Sequence, residues 1–569
     1  MPLRVTLRRT RDLRVLLAPL VGLLLCGCAP RAEATVYYVD FQNGVDSAPG
    51  TQPGQAWKHA PGDAAATDGP SSVQLRPGDR VRFRGGVAYR GVITIRASGA
   101  DGAPIVYAGD EWGDQSAVFD GSDPVTSIAA CSSAGVCGGA SNWAELSLLE
   151  FQPPKTTLIK FFDSTGPLFE GQFPRPKDPF FSDDTAEYAE VPLSQAVAAE
   201  QGELKSSKLA KTLGPNVVGG ALSLWTMGNR VDRRPITGVD GDRIQFSPNG
   251  VRFYKDRPGR AAIVNSVALI DRPGLYAVIA PGRAVAWLRP TDAAGAQALW
   301  VGSGRTAIDF KGQSDVVVRG FIFERFVAAK YGEGVQITNS GSLSSRVRVE
   351  DNIFRRSALY TGAGPIMIGQ VDGAQITNNT FSEIERGSGI RTNRKPVSNL
   401  SIVGNRFERL GQTGILVMGA SDSIVSKNVM TGFYGIHGNG ISLYLDNRRV
   451  TASDNTVVGA TRPLTFHGDN GKTPDNNDLV IERNVLVTEE PSAGAITSYG
   501  GTRGVKIVDN VLIGPRYGLL LAPTDIGIVA SNNSTSGIHT KGDQPRAWVL
   551  SGNKGVSRAQ AAAAAAAVK

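Results

Sequence analysis

One pattern of apolar and polar positions recurs between about residues 345 and 555. It consists of an apolar residue, two further residues, an asparagine, one residue and then a position that is usually apolar. The clear copies are Val349-Asn352-Phe354, Ile376-Asn379-Phe381, Ile402-Asn405-Phe407, Val425-Asn428-Met430, Ala452-Asn455-Val457, Ile481-Asn484-Leu486 and Ile507-Asn510-Leu512, with weaker copies at Val529-Asn532 and Leu550-Asn553. Successive asparagines are 27, 26, 23, 27, 29, 26, 22 and 21 residues apart. This period predicts a solenoid, in which each repeat packs only on its neighbours.

A second pattern, a short alternating strand that usually begins with glycine, lies between successive asparagines. Its copies are Ile366-Ile368, Gly389-Ile390, Gly414-Ile415-Val417, Gly440-Ile441-Leu443, Leu464-Phe466, Ile496-Ser498 and Gly518-Leu519-Leu521. Each repeat therefore has room for strands and turns but not for a helix. Coils stacked ~4.8 Å apart would place asparagine over asparagine, and amides have donors and acceptors with which to satisfy each other. The patterns predict an all-β fold, a parallel β-helix with an asparagine ladder.

A leucine-rich repeat is the alternative, because it also places an asparagine in an apolar core motif at a similar period. β-Branched residues and phenylalanine, rather than leucine, dominate here, the period varies, and a second strand is present. These features favour the β-helix.

The N-terminal part carries motifs of its own. Residues 35–110 contain TVYYVDFQNG, PGT, a PGD turn, GGVAYRG and GAPIVY in that order. The region resembles the right-handed parallel β-helix superfamily of carbohydrate-active enzymes, such as pectate lyases, alginate lyases and chondroitinase B. The resemblance implies a right-handed solenoid that begins here, and it identifies an architecture rather than a reaction.

The repeats are interrupted between residues 125 and 304. The segments 168–174, 269–274 and 286–290 are similar to an inserted β module seen in several such enzymes. The insert is expected either to wall one side of a cleft or to cap the open N-terminal end of the solenoid. We therefore divide the chain into a leader (1–27), a tether (28–34), an entry module (35–124), an insert (125–304), coils (305–556) and an Ala-rich tail (557–569).

The first 28 residues predict export. Five arginines precede an apolar core at 15–25, and Leu25-Cys26-Gly27-Cys28 follows. This junction resembles a bacterial lipobox, which implies lipidation of Cys28 and a membrane anchor; ordinary cleavage between 29 and 34 is the alternative. Because Ala29 is not aspartate, the resemblance to Gram-negative lipoproteins favours the outer membrane over the periplasm. Cys131 and Cys137 suit a local disulfide in such an oxidising compartment, or two buried thiols.

Charge adds little. The formal net charge is +8, of which residues 1–27 contribute +4 through five arginines and one aspartate, so residues 28–569 carry +4. A mildly basic chain permits an acidic polymer as its partner without requiring one. We expect an anionic polysaccharide, no nucleic acid and a monomer. With four histidines in the chain we expect no transition-metal site.

Candidate chemistry comes from the side chains that point outward from the glycine-initiated strands. One outward column contains Met367, Arg391, Leu416, Ser442, Thr465 and Thr497, and the next contains Asn393, Met418, Tyr444, His467 and Tyr499. The second column predicts that Tyr444, His467 and Tyr499 stack on consecutive coils, with Asp446 and Asp469 beside them. His437 lies in the turn that enters the Tyr444 strand and is expected to overhang the same site. Packing residues are the alternative for the rings, and strand-ending turns for the aspartates.

Two mechanisms fit these residues. In β-elimination on a uronate, His467 would be the base, Tyr444 or Tyr499 the acid, and Arg462 or a bound cation would neutralise the enolate. In glycoside hydrolysis, Asp446 and Asp469 on adjacent coils would form a carboxylate pair. Arg391, three coils from His467, would bind a neighbouring sugar, together with Asn393, Arg394 and Lys395. These four residues also suit a merely solvated sheet.

Family motifs do not decide between the mechanisms. Chondroitinase B-like and related alginate lyases carry a Glu-rich strand with a following Lys and an Arg-His-Gly, which are missing here. Polygalacturonase-like hydrolases carry an Asp pair, GHG and RIK, whereas this chain has residues 436–440 (IHGNG) and 389–391 (GIR) in the opposite order without the pair. We favour a lyase, with a glycoside hydrolase second and a non-catalytic, lipid-anchored polysaccharide-binding protein as the other class. The loop at 469–478 offers oxygen ligands for Ca²⁺, and a solvated turn is its alternative.

Overall fold

The computed structural model describes residues 33–557 apart from 228–229, 291–297, 329–336, 339–341, 360–361, 394, 470–474 and 544–547, together with residues 560, 563 and 566. The leader, Cys28, Arg394 and most of the Ala-rich tail lie outside the described residues. No helix among the described residues is long and apolar enough to cross a membrane.

Three parallel sheets run along the molecule, because each coil contributes to all three in turn. Strands of the first sheet are Val36–Val39, Arg80–Phe83, Ile105–Ala108, Val316–Arg319, Ser344–Ser345, Arg348–Glu350, Val371–Asp372, Gln375–Thr377, Val397–Ser398, Ser401–Val403, Ala420–Ser426, Arg448–Ser453, Asn476–Asn477, Val480–Glu482, Thr502–Arg503, Lys506–Val508, Val529–Ser531 and Val549–Ser551. Strands of the second sheet are Ile93–Thr94, Ile308–Asp309, Ile337–Thr338, Ile366–Ile368, Ile390–Thr392, Ile415–Val417, Asn439–Tyr444, Arg462–His467, Gly494–Ser498, Tyr517–Leu521 and Ile538–Thr540. Strands of the third sheet are Ala88–Tyr89, Val118–Asp120, Ile322–Glu324, Ile353–Ala358, Thr380–Glu385, Arg406–Leu410, Val429–Phe433, Thr456–Ala460, Val485–Val487, Val511–Ile513, Ser534–Thr535 and Lys554–Gly555. The predicted parallel β-helix is therefore confirmed.

The apolar residue that follows each asparagine forms a column inside the solenoid. Phe323, Phe354, Phe381 and Phe407 stack ring on ring, with centroids 4.8, 4.9 and 4.6 Å apart. All four are at most 1% exposed. Stacking at the coil spacing keeps the strands in register, since a slip of one residue would move every ring to the solvent face.

The asparagine ladder is formed by hydrogen bonds between successive coils. Asn405 Nδ2 donates to Asn428 Oδ1 at 3.0 Å, and Asn428 Nδ2 donates to Asn455 Oδ1 at 2.9 Å. The side chains of the ladder, Asn352, Asn379, Asn405, Asn428, Asn455, Asn484, Asn510, Asn533 and Asn553, also donate to carbonyl oxygens of the preceding coil. The ladder predicted from the sequence is present over these coils.

One position of the predicted ladder was wrong. Asn533, not Asn532, accepts from Asn510 Nδ2 at 2.9 Å and continues the column. Asn532 has a left-handed backbone with a φ of +58°. The residue before other ladder asparagines is also left-handed, for example Lys427 at +55° and Asp454 at +58°. The turn thus needs a left-handed residue and then an inward amide. Asparagine suits both positions, so the pair Asn532-Asn533 is ambiguous in sequence.

The insert consists of short helices and of sheets that are antiparallel except where Phe169–Glu170 pairs in parallel with Leu275–Ala280. Its strands are Ser122–Pro124, Ser127–Ala130, Ser147–Glu150, Phe161–Asp163, Phe169–Glu170, Gln172–Phe173, Ala189–Val191, Glu203–Lys205, Ala221–Met227, Arg230–Asp240, Arg243–Phe246, Gly259–Val264, Leu275–Ala280, Arg283–Trp287 and Leu299–Gly302. Its helical turns are Trp143–Glu145, Pro179–Phe181, Thr185–Glu187, Leu193–Gln195, Ala196–Glu200, Ser207–Leu213, Gly214–Val217 and Val267–Leu269, and two more, Pro53–Gln55 and Asp68–Ser72, precede it. A disulfide joins Cys131 to Cys137 within the insert.

The insert packs against the side of the solenoid, at the corner between the third and second sheets. Lys160 forms an ion pair with Glu385, and Arg386 donates to Ser182 Oγ at 2.8 Å. Phe181 packs edge to face on Tyr434, with ring centroids 5.2 Å apart. This placement supports the loops from which the second-sheet strands begin.

Asp183 is buried in this contact and gives the fold a pH dependence. Burial raises the pKa of Asp183 to about 7, with Glu385 adding to the rise and Arg386 opposing it. The folded protein therefore holds a proton on Asp183 that the unfolded chain releases above pH ~4. Stability falls as pH rises from about 4 to 7, by up to ~1.4 kcal/mol per pH unit from this group.

Substituting Asp183→Asn is expected to remove that slope, because an amide stays neutral. The free energy of unfolding, measured in urea at pH 5, 6, 7 and 8, should depend less on pH in the variant and exceed the wild-type value at pH 8. Asp543→Asn, at an exposed aspartate, is the control and should leave the slope unchanged. Parallel pH profiles for Asp183→Asn and the wild type would contradict the assignment.

Candidate functional site

A cavity of about 440 Å³ opens on the outer face of the second sheet. Its lining comes from the second-sheet strands and from the loops that precede them. The lining residues are Gly362, Ser388, Arg391, Gln412, Thr413, Leu416, Met418, His437, Asn439, Ser442, Tyr444, His467 and Tyr499. None of these described lining residues is Asp or Glu, so the walls present imidazole, phenol, guanidinium, amide and hydroxyl groups.

The floor of the cavity follows the register that the sequence predicted. Arg391 pairs with Leu416, Leu416 with Ser442, and Ser442 with Thr465 on successive coils. Ser442 Oγ and Thr465 Oγ1 lie 2.7 Å apart and share a hydrogen bond. The side chains of this column point outward, since the residues that precede them in their strands, such as Ile441 and Leu464, are fully buried in the core.

The aromatic column forms one wall of the cavity. Tyr444 and His467 are register partners, and their rings stack with centroids 5.0 Å apart and planes 18° apart. Tyr499 meets the other side of His467 edge to face, at 5.7 Å and 79°. Tyr444 is 36% exposed and Tyr499 42% exposed, so both phenols remain accessible to a ligand.

His437 reaches the cavity from the loop before the Tyr444 strand, as the sequence predicted. Its φ of +58° turns the chain sharply, and Asn439 N donates to the His437 carbonyl at 2.6 Å. Desolvation by the concave wall, with a further contribution from Arg462, lowers the pKa of His437 to about 4. Although solvent reaches this side chain, it is neutral above pH ~4 and can accept a hydrogen bond.

Cationic groups surround the aromatic wall. The strand position of Arg462 pairs with that of Asn439 on the adjacent coil. The positive charge of Arg462 acts to lower the pKa values of both His437 and Tyr499. Burial outweighs this effect at Tyr499, so the pKa of its phenol is raised. Lys541 Nζ lies 4.6 Å from the Tyr499 ring centroid and donates to the Ser498 carbonyl at 3.0 Å.

Sequence reasoning missed Lys541, Gln412, Thr413 and Asn439. Lys541 follows a late, irregular coil, and Gln412 and Thr413 lie in a loop that has no fixed place in the repeat. A signal was available for Asn439, which stands between two glycines at the start of a strand.

Other predicted residues lie outside the cavity. Leu445 and Asp446 have φ values of +52° and +55°, which turn the chain away at the strand end, so Asp446 is exposed and does not line the cavity. Asp469 is also exposed outside it, and its backbone N–H donates to Asp475 Oδ1 at 2.8 Å. These carboxylates were expected beside the rings, but neither lines the cavity, and at Asp446 a left-handed turn ends the strand.

The predicted cationic groove is only partly assembled. Arg391 lines the cavity, whereas Asn393 and Lys395 lie past the end of their strand and outside its lining. Lys395 Nζ donates to Gln370 Oε1 at 3.2 Å. Arg394 lies outside the described residues.

The described part of the chain contains no group of three or more His, Cys, Asp or Glu that could hold a metal ion. Residues 470–474 of the loop considered for Ca²⁺ lie outside the described residues, so that site stays a prediction.

Comparisons with known proteins concern the coils and the fold. Residues 333–535 match the family model described as "Right handed beta helix region". A search of curated proteins found no match. Among solved structures, one titled "Glycoside hydrolase" superposes with a TM-score of 0.57 at 12% identity, covering 93% of this chain and 100% of its own.

Weaker likenesses include a complex of XylC with xylose, with TM-score 0.41, 14% identity, and 89% and 76% of the two chains covered. Another is the GH136 lacto-N-biosidase from Eubacterium ramulus, with TM-score 0.38, 10% identity, and 92% and 68% covered. At these identities the likeness concerns the fold alone. The three parallel sheets and the asparagine ladder, together with the match over residues 333–535, show that the coils of this chain fold as a right-handed parallel β-helix.

Proposed function

We propose that this protein is a polysaccharide lyase that cleaves an acidic, uronate-containing polysaccharide by β-elimination in the cavity on the second sheet. One observation carries the proposal: His467 lies between two accessible phenols, in a cavity whose described lining contains the guanidinium of Arg391 but no carboxylate. Two carboxylates are what hydrolysis of a glycosidic bond requires in most enzymes. Imidazole, phenol and guanidinium can supply the base, the acid and the positive charge that elimination requires.

The roles follow from the chemistry of each group. His467 takes the proton α to the uronate carboxylate, and the electron pair forms a carbon–carbon double bond as the bond to the glycosidic oxygen breaks. A tyrosine gives its proton to the leaving oxygen. Tyr499 suits this step, because its accessible phenol ring lies edge to face against His467. No further reactant is consumed, so the step balances.

The carboxylate of the substrate needs positive charge when the enolate forms. Lys541 Nζ lies 4.6 Å from the Tyr499 ring centroid. The positive charge of Arg462 acts to lower the pKa of the Tyr499 phenol. Arg391 lies three coils from His467, ~14 Å away by strand spacing, and suits a neighbouring sugar. This distribution of cations supports an anionic chain that crosses several coils.

The test is to incubate the protein with alginate, pectate and glycosaminoglycans and to follow the ultraviolet absorbance of unsaturated uronate. Absorbance should rise with at least one polymer. New reducing ends without that absorbance would indicate hydrolysis and overturn the proposal. Binding without either signal would indicate a non-catalytic polysaccharide-binding protein and would equally overturn it.

We also propose export with a lipid anchor on Cys28. The arginine-rich leader, the lipobox-like junction and the disulfide between Cys131 and Cys137, which suits an oxidising compartment, support it. Cys28→Ser should move the protein from the detergent phase to the aqueous phase when cells are partitioned in detergent. Cys26→Ser is the matched control, and equal partitioning of both variants would contradict the anchor.

A further inference from the structure

Two buried side chains of the cavity each contain one polar atom without a hydrogen-bond partner. Gln412 is 4% exposed and Asn439 is 6% exposed, and both line the cavity. Gln412 Nε2 and Asn439 Oδ1 have no hydrogen-bond partner among the described residues. Asn439 Nδ2, by contrast, donates to Ser442 Oγ at 3.2 Å. One unmet donor and one unmet acceptor therefore belong to residues that line the same cavity.

The two groups lie close together on adjacent coils. Gly414 N donates to the Asn439 carbonyl at 2.9 Å, which joins the Gln412 loop to the start of the Asn439 strand. Thr413 Oγ1 donates to the His437 carbonyl at 3.4 Å. These bonds hold the Gln412 loop against the start of the Asn439 strand.

The surroundings of the pair are polar and include one charged residue, Arg462, whose strand position pairs with that of Asn439. His437 is neutral above pH ~4. Thr413 and Ser442 contribute hydroxyl groups to the same end of the cavity. Asn439 begins the strand that Tyr444 ends, so about five residues, ~16 Å, separate the backbones of this end and of the aromatic wall.

Buried polar groups without partners are unusual, because each loses its hydrogen bonds to bulk water without replacement. A ligand that supplies both missing bonds recovers that loss on binding. A sugar ring with hydroxyls on neighbouring carbons does so, since one hydroxyl oxygen can accept while the next hydroxyl donates.

We infer that Gln412 and Asn439 bind the uncharged edge of a sugar ring: Gln412 donates to one hydroxyl, and Asn439 accepts from its neighbour. This inference rests on the proposed function only in taking the ligand to be a saccharide. It adds that the cavity recognises a vicinal diol at the end where the Asn439 strand begins.

A stability measurement tests the first half of the inference without any ligand. Gln412→Met replaces the unmet donor with an apolar group of similar size, so the thermal unfolding midpoint should stay equal or rise. Asn447→Leu is the matched control, because Asn447 Nδ2 donates to the Val417 carbonyl at 3.1 Å and its Oδ1 accepts from Ala420 N. That control should unfold at lower temperature. A clear fall in the midpoint for Gln412→Met would show a structural role and overturn the inference.

Calorimetric titration tests the second half. Oligosaccharides of alginate, pectate and chondroitin are titrated into the wild type, Gln412→Met and Asn439→Leu. Each variant should bind the best of these roughly 5- to 150-fold more weakly. The same oligosaccharide lacking one ring hydroxyl should lose affinity for the wild type and much less for Gln412→Met.

The two proposals fail separately. If the wild type binds an oligosaccharide with the expected hydroxyl dependence but produces no unsaturated uronate, the lyase proposal fails and the diol site stands. If Gln412→Met binds as tightly as the wild type, or if no oligosaccharide binds, the diol site is overturned. If Gln412→Met binds as tightly as the wild type, elimination by the wild type still supports the lyase proposal.

Discussion

Replacing His467 with alanine is expected to lower kcat/KM on the uronate polymer by about 10²- to 10⁴-fold, the range that one positioned general base contributes. The proton removed is weakly acidic, and solvent in the cavity cannot replace an imidazole held between two rings. Tyr444 and Tyr499 contact opposite sides of that imidazole, at 5.0 and 5.7 Å between centroids. The measurement is the initial rate of ultraviolet absorbance increase at substrate concentrations well below KM.

His539→Ala is the matched control. His539 also stacks on a tyrosine of the second sheet, Tyr517, with centroids 4.6 Å apart, but does not line the cavity. Its loss should leave kcat/KM within about twofold of the wild type, because proton transfer requires contact with the reacting atoms. Equal activity of His467→Ala and the wild type would contradict the base assignment while leaving the fold untouched.

Tyr499→Phe should reduce kcat more than it changes KM if this phenol protonates the leaving oxygen.

The second large effect concerns stability. Asn428→Ala is expected to lower the free energy of unfolding by about 3–5 kcal/mol, because several buried groups lose a hydrogen-bond partner at once. Asn428 Oδ1 accepts from Asn405 N at 3.0 Å, and Asn428 Nδ2 donates to the Ile402 carbonyl at 3.0 Å. Urea unfolding followed by circular dichroism measures the loss.

Lys427→Gly provides the control at the adjacent residue. Lys427 is exposed and has a φ of +55°, a conformation that glycine adopts without strain. Its substitution should change the free energy of unfolding by less than about 1 kcal/mol. If Lys427→Gly and Asn428→Ala destabilise equally, the turn backbone rather than the amide column stabilises the coils.

The sequence by itself determined the solenoid, the asparagine column and the outward register of the second sheet. These features repeat, and each depends on residues a fixed number of positions from an asparagine or a glycine. Side chains alternate strictly along a strand, so the placement of Ile441 inward and Tyr444 outward followed from local order alone. Stacking then brought Tyr444 against His467, because neighbouring coils share one register.

Only the tertiary structure decided what meets in the cavity. The loops at the corner between the third and second sheets differ in length, and so Gln412 and Asn439 converge without any periodic signal. Lys541 reaches Tyr499 from a later coil, whereas the left-handed turn at Asp446 removes a carboxylate that alternation alone placed beside the rings. Strand periodicity is a local property of the chain, but loop geometry depends on contacts between residues that are distant in sequence, among them the insert against Tyr434.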